Sequence, residues 1–402
     1  MTCHVTHLES AIDQTRLPAD RVQTLHEGRP LWVRYDLDAV GRAVDRDRLA
    51  SRPATLWRYR ELLPVRRDTD IVNLGECISP LLPAPTLGRA LGLRDLWIKD
   101  ESQLPTGSFK SRGMALAVSM ARSFGLRRFA IPTAGNAGGA LAAYGARAGA
   151  EVHVFMPANT PVVNQAECVV AGARTYLVDG LITDCARFVR EGVQPRGWFD
   201  FSTLKEPYRI EGKKTMGLEL AQQLGWVLPE VILYPTGGGT GLIGMWKAFN
   251  ELRQLGWLES TSMPRMISVQ SDGCAPIARA FDQGKRFADP WEGAATMASG
   301  LCVPAAVGDF MILDAVRESG GCAVAVPEAR IVGAMVQAVS AEGIPVCPEA
   351  AACVLAAEML LADGRLRPEE RVVLFNTGAA QKYPDSVPLQ LPRLGAGDPL
   401  PA

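Results

Sequence analysis

Pro105-Thr106-Gly107-Ser108-Phe109-Lys110 comes shortly after the apolar run Leu96-Trp97-Ile98. It sets a lysine behind a turn of small residues and at the head of a predicted helix. Met114, Ala117, Val118 and Ala121 recur at helical spacing after Lys110, and Gly125 closes the run. A lysine held in a partly desolvated pocket loses proton affinity. Such an amine forms a Schiff base with a carbonyl group. Most lysines are solvated surface charges, so the motif gains its weight from three further segments later in the chain. In order they are Thr133-Ala134-Gly135-Asn136-Ala137-Gly138-Gly139, Thr236-Gly237-Gly238-Gly239-Thr240-Gly241 and Asn376-Thr377-Gly378.

From Asn73 onward the pattern predicts alternating strands and helices. Phe129-Ala130-Ile131-Pro132 reads as a strand feeding the Gly/Asn turn, 140–148 as a helix of small residues, and 151–156 as the next strand. A helix over 162–171, a strand over 174–178 and a helix over 181–192 come next. The second half predicts helices over 213–224 and 242–255 and near 275–283, 308–319, 328–342 and 349–362. Its strands fall at 231–234, 266–269, 323–326 and 372–375. Strands separated by helices imply parallel sheets covered on both faces. Residues 1–70 differ: they hold three of the four histidines, one strand within 31–37, and short helices over 38–50 and 53–62. The expected fold class is α/β with two lobes. An N-terminal extension covers 1–70, a large lobe 71–112 and 205–390, a small inserted lobe 113–204, and an irregular tail 391–402.

A net charge of −1 leaves no electrostatic footprint for nucleic acid or an anionic membrane. The nine cysteines are scattered and odd in number, and Cys168, Cys185, Cys274 and Cys353 sit in apolar surroundings. That usage argues against a disulfide framework and for a reducing compartment. No apolar stretch is long enough to span a bilayer, and the start lacks a signal-peptide pattern. A cytoplasmic protein is expected.

Gly237-Gly238-Gly239-Thr240-Gly241 follows a strand and opens a helix, so its backbone N–H groups and the helix dipole converge on an anion site. The same tract contains Gly239-Thr240-Gly241-Leu242-Ile243-Gly244, a literal G-x-G-x-x-G. A nicotinamide-dependent oxidoreductase is therefore an alternative. Against it, no acidic residue ends the next strand, Val269-Gln270-Ser271. Asn136 offers a donor and an acceptor to a ligand, or serves as a turn residue. Thr377 ends a strand, where ligands of open α/β sheets bind, or it caps the turn at Gly378. Arg209 suits a phosphate, or pairs with Glu206 or Glu211 at the surface. No H-E-x-x-H, P-loop or nucleophile elbow is present.

In this order the four segments resemble the fold-type II pyridoxal-phosphate enzymes (the tryptophan synthase β-like family), and the threonine synthases among them most closely. The similarity runs from about Tyr35 to Lys382 and includes Trp57-Arg58-Tyr59-Arg60-Glu61-Leu62-Leu63-Pro64. The resemblance implies pyridoxal 5'-phosphate as cofactor, joined to Lys110, with Asn136 on its phenolic oxygen. Gly237, Gly238, Gly239 and Thr240 would hold its phosphate, and Thr377 would meet its pyridine nitrogen. Thr133, Ser108 and Arg209 would bind the substrate. The implied reaction converts O-phospho-L-homoserine into L-threonine and phosphate, in a homodimer. β-Replacement or β-elimination on phosphoserine, serine or threonine is the second reading, and a non-catalytic binding protein a weaker one.

The chain departs from the family at three places. Ser111 stands where the family has Asp, and Leu74-Gly75-Glu76-Cys77-Ile78-Ser79-Pro80-Leu81 replaces Gly-Glu-Gly-x-Thr-Pro-Leu. Ser202-Thr203-Leu204-Lys205-Glu206-Pro207 replaces Asn-Ser-x-Asn-Pro. All three touch the implied substrate-phosphate region. Many relatives also open with a zinc ribbon of two Cys-x-x-Cys pairs. Here the pairs read Ser10-Ala11-Ile12-Asp13 and His26-Glu27-Gly28, without the thiolates that tetrahedral zinc prefers. A ribbon remnant with no metal is expected; Cys3, His4, His7 and His26 are the alternative, as an odd metal site.

Overall fold

The computed structural model describes residues 3–387, 391–394 and 396. Most of the tail expected to be irregular therefore lies outside the described residues. In chain order the strands and helices are β1 (Val5–Ser10), β2 (Arg16–Leu17), β3 (Leu31–Tyr35), α1 (Leu37–Ala43), β4 (Leu81–Pro83), α2 (Pro85–Leu91), β5 (Asp95–Asp100) and α3 (Lys110–Ser123). Then come β6 (Arg128–Pro132), α4 (Asn136–Ala148), β7 (Glu151–Pro157), α5 (Val162–Val170), β8 (Arg174–Val178), α6 (Ile182–Arg196) and β9 (Phe199–Asp200). The remainder is α7 (Tyr208–Gln223), β10 (Val231–Pro235), α8 (Thr240–Gln254), β11 (Arg265–Ser271), α9 (Pro276–Asp282), α10 (Asp309–Glu318), β12 (Cys322–Val326), α11 (Ile331–Glu342), α12 (Pro348–Ala362) and β13 (Arg371–Asn376).

Three sheets result. The first is antiparallel, in the order β2-β1-β3. The second has six strands in the order β12-β11-β10-β13-β5-β4, all parallel except the short edge strand β4. The third is β8-β7-β6-β9, wholly parallel. Parallel strands need crossovers, and the intervening helices supply them and bury both faces. One apolar cluster lies on each side of the six-stranded sheet: Ile232, Tyr234, Val373 and Phe375 point one way, and Val231, Leu233, Val372 and Leu374 the other. That alternation is the pleat of the strands.

The sheet order matters for function. β10, β13 and β5 are neighbours and run the same way. The glycine tract, Thr377 and the Lys110 loop follow their carboxyl ends, so they emerge side by side along one rim.

A buried ion network fixes α3 beneath Lys110. Arg112 Nε lies 2.6 Å from Glu101 Oε2, and its Nη1 lies 2.5 Å from Glu219 Oε1. Lys99 Nζ is 3.1 Å from Glu219 Oε2, and Ser79 Oγ donates to Glu101 Oε1 at 2.6 Å. Burial works against the Glu101 charge, yet the Arg112 guanidinium holds its carboxyl below the usual range. A second cluster ties the N-terminal sheet to the body. Tyr35 Oη donates to Glu211 Oε2 at 2.6 Å, and Glu211 pairs with Lys214 and Lys247 at 2.7 and 2.9 Å.

The N-terminal segment forms the β2-β1-β3 sheet. Asp13 and His26, from the two degenerate pairs, meet at 3.6 Å, and Glu27 joins them with all three ligand atoms within 4.8 Å. Cys3 is elsewhere, its Sγ directed to the Pro64 carbonyl, and His7 pairs with Glu9. All nine cysteines are free thiols. No helix among the described residues is long and apolar enough to cross a membrane.

Candidate active site

The rim of β5, β13 and β10 faces the carboxyl end of β6, and a cavity of about 260 Å³ lies between them. Lys110, Thr133, Asn136, Gly237, Gly238, Gly239, Thr240 and Thr377 all line it. Ser108 and Arg209 are not among the residues that line it. Ser108 Oγ is buried without a partner among the described residues. Arg209 is 1 % exposed, donates from Nη1 to the Phe201 carbonyl at 2.8 Å, and leaves Nε unpartnered among the described residues.

Local sequence explains the placement of Lys110. Pro105 starts a short turn in which Thr106 and Gly107 have φ of 61° and 58°. Ser111 Oγ donates back to the Pro105 carbonyl and closes it. The loop is pinned to the Thr377 loop: Phe109 N donates to the Thr377 carbonyl at 3.1 Å, and Ala379 N to the Gly107 carbonyl at 2.9 Å. Asn376 locks the same corner, donating to Asp100 Oδ1 at 2.8 Å and accepting from Cys347 N at 3.0 Å.

Electrostatics then act on the amine. Burial, with the nearby Arg209 guanidinium, pulls the Lys110 pKa down to about 7, against a smaller opposing pull from Glu349. Lys213 lies close by. Its Nζ sits 4.1 Å from the Phe109 ring centre, where Lys110 Nζ sits at 4.2 Å. Burial and then the Lys110 charge push the Lys213 ammonium well below its ordinary pKa, and it donates to the Phe109 carbonyl.

The glycine tract forms an open cradle. α8 starts without a side-chain cap, and Gly239 before it has φ of 72°. The first amides of the helix are therefore free for an anion. A Cβ on Gly237 would strike the Gly300 carbonyl oxygen, and one on Gly238 would come within 2.9 Å of Thr203 Cγ2. Of the G-x-G-x-x-G, Gly241 packs on Tyr234 and Gly244 on α7. Those two positions answer helix packing. The bare amides, the small-residue floor and a near-neutral amine fit pyridoxal phosphate: an anion at one end and an aldehyde within reach of Lys110. Thr377 Oγ1, with Cys347 Sγ beside it at 3.9 Å, suits a ring nitrogen.

The cavity also holds residues that the sequence alone does not single out. Glu349 is 4 % exposed and lines the wall. Its Oε1 accepts from Gly300 N at 2.8 Å and from Tyr383 Oη at 2.7 Å, while Oε2 has no partner among the described residues. In sequence, Pro348-Glu349 looks like an ordinary helix start. Thr203 and Lys205, from the 202–207 segment that departs from the family, also line the cavity, and Lys205 Nζ pairs with Asp200 at 2.9 Å.

Comparison with known proteins agrees with this chemistry. The chain is 32 % identical over 366 residues to the threonine synthase of Methanocaldococcus jannaschii, covering 91 % of this chain and 90 % of that one. It is 34 % identical over 358 residues to the threonine synthase of Methanosarcina acetivorans, with 89 % and 87 % covered. Among solved structures, threonine deaminase isoform 2 from Solanum lycopersicum matches with a TM-score of 0.65 at 21 % identity, covering 84 % of this chain and 96 % of that one. Maize serine racemase matches with a TM-score of 0.65 at 20 % identity, covering 75 % and 88 %. These likenesses speak for the fold. Residues 72–378, which carry the amine, the asparagine turn, the glycine cradle and the threonine, match the family model as one unit, and the chain belongs to the pyridoxal-phosphate dependent enzymes.

Proposed function

We propose that this chain is a threonine synthase, a lyase that converts O-phospho-L-homoserine and water into L-threonine and phosphate. The observation that carries the reading is Lys110, an amine with a pKa of about 7 in the same cavity as an uncapped glycine cradle. Two threonine synthases match it over nearly its whole length. Pyridoxal phosphate, when bound, supplies the electron sink that makes the substrate Cα proton removable. Lys110 Nζ, which would hold the cofactor aldehyde, is also the amine placed to take that proton. The amides of Gly237, Gly238, Gly239 and Thr240 would hold the cofactor phosphate. Thr377 Oγ1 would meet the ring nitrogen as a hydroxyl, which would not enforce protonation there. Thr133, with Lys205 and Thr203 in the same cavity, would receive the substrate phosphate, and Arg209 and Ser108, buried but outside its lining, would act there only indirectly. Loss of phosphate at Cγ and addition of water at Cβ complete the balance.

The small lobe over 113–204 is the unit that closes on the large one over 71–112 and 205–390, and closure excludes water from the reacting centre. The nine free thiols suit a cytoplasmic enzyme, and a homodimer is the expected assembly. A product assay tests the reading. Holoenzyme given O-phosphohomoserine should release threonine and phosphate in equal amounts. A second reading, β-elimination or β-replacement on phosphoserine, serine or threonine, is favoured by Arg209 standing outside the lining. It predicts a 2-oxo acid and ammonia, or a β-substituted product, from those amino acids and no threonine.

The amine sets a pH limb. Lys110 takes a proton only when neutral, so kcat falls as pH drops through about 7. The Arg209 charge depresses that pKa, so Arg209→Met should move the limb to higher pH, read from the kcat profile. The cradle sets affinity. In Gly237→Ala the new methyl must displace the Gly300 carbonyl. We expect cofactor affinity to fall by roughly 10-fold or more in a fluorescence titration, with about 1–3 kcal/mol of stability lost to overpacking.

A further inference from the structure

The one polar side chain of the α4 start is clamped from outside the cavity. Asn136 Oδ1 accepts from Lys382 Nζ at 2.9 Å and from Asn164 Nδ2 at 3.3 Å. Lys382 is 5 % exposed and pairs with Glu167 at 2.7 Å. An ammonium only donates, so it can face only the oxygen of an amide. The chemistry of Lys382 therefore decides which way round the Asn136 amide sits. Its nitrogen is left towards the cavity, where Nδ2 donates to Tyr383 Oη at 3.3 Å, and Tyr383 in turn donates to Glu349. One Nδ2 hydrogen remains for a ligand.

The clamp also bridges the two halves of the molecule. Lys382 lies in a short turn, Ala380–Lys382, just after β13 of the six-stranded sheet. Asn136 and Glu167 belong to α4 and α5, which flank the four-stranded sheet. Among the described residues, no other charged side chain hydrogen-bonds Asn136.

We propose that Lys382 is a positioning residue for Asn136, holding the amide so that its nitrogen donates to the anionic ring oxygen of the cofactor. The inference rests on the reading that Asn136 faces the cofactor. Without the ammonium the amide is free to flip, and its carbonyl oxygen would then oppose the anionic oxygen. Misplacement on this scale costs roughly 10- to 100-fold in turnover.

The test uses holoenzyme of wild type, Lys382→Met, Lys382→Arg, Asn136→Ala and the Lys382→Met/Asn136→Ala double variant. The readouts are kcat, KM and the pH midpoint of the bound cofactor's visible absorbance. A donor to the ring oxygen favours the less protonated form, so its loss moves the midpoint up, by about one unit for one charge-assisted hydrogen bond. Lys382→Met and Asn136→Ala should both move it up and lower kcat with KM near the wild-type value. Lys382→Arg should restore the midpoint, and the double variant should be no worse than Asn136→Ala alone. A wild-type midpoint in Lys382→Met, even with a lowered melting temperature, overturns the proposal, as do additive losses in the double variant. A wild-type midpoint in Asn136→Ala instead refutes the reading of Asn136 beneath it.

Discussion

Lys110→Ala should abolish the yellow absorbance of the purified protein and lower turnover by ~10³-fold or more, since in the proposed reaction the residue is both covalent anchor and proton acceptor. The geometry makes the effect specific to this position. Lys213 Nζ shares the Phe109 ring with Lys110 Nζ, but it is fully buried and committed to the Phe109 carbonyl. Lys205 is committed to Asp200. Neither is free to take over. The glycine cradle is untouched by the substitution, so the variant should still bind cofactor, weakly and reversibly. Absorbance spectra before and after dialysis, with phosphate release from O-phosphohomoserine, check both halves of the expectation.

Arg112→Met should cost about 3–5 kcal/mol of stability, because it strands two buried carboxylates. Arg112, Lys99, Glu101 and Glu219 form a closed set of two positive and two negative charges, all four fully buried. Removing one guanidinium leaves Glu101 and Glu219 to share Lys99 alone. The contrast is Arg187→Met, which breaks an exposed pair with Glu191 four residues on and should cost about 0.3–0.5 kcal/mol. Denaturant unfolding of both variants against wild type measures the difference. Because Arg112 is two residues from Lys110, the surviving folded fraction should also show a disturbed pH limb.

The cofactor side of the cavity is legible in the chain because each of its parts is local. A strand, a tight turn and a helix start read directly from sequence, and parallel strands bring their carboxyl ends to one rim. Two helices start earlier than their periodicity suggests, for an equally physical reason. α4 begins at Asn136 rather than near 140, because Gly138 and Gly139 weaken the helical signal. α7 begins at Tyr208 rather than 213, because Arg209, Glu211, Lys213 and Lys214 are buried polar residues held by ion pairs and hydrogen bonds and so erase the amphipathic period. The short strands β2, β4 and β9 carry too few residues for alternation to register. Glu349 and Tyr383 are invisible in sequence as site residues, since only the tertiary fold brings them to the cavity, and so is Lys382, which reaches Asn136 from outside it. The near-neutral amine of Lys110 is legible in kind, from its small-residue turn, but the Arg209 charge that helps set it is a matter of packing.

Borohydride reduction of the holoenzyme followed by peptide mass mapping tests most directly whether Lys110 anchors the cofactor. The expected product carries one pyridoxyl group, on the peptide containing Lys110. A label on Lys213, Lys205 or Lys382, or no label on a protein that retains its cofactor, would contradict that role.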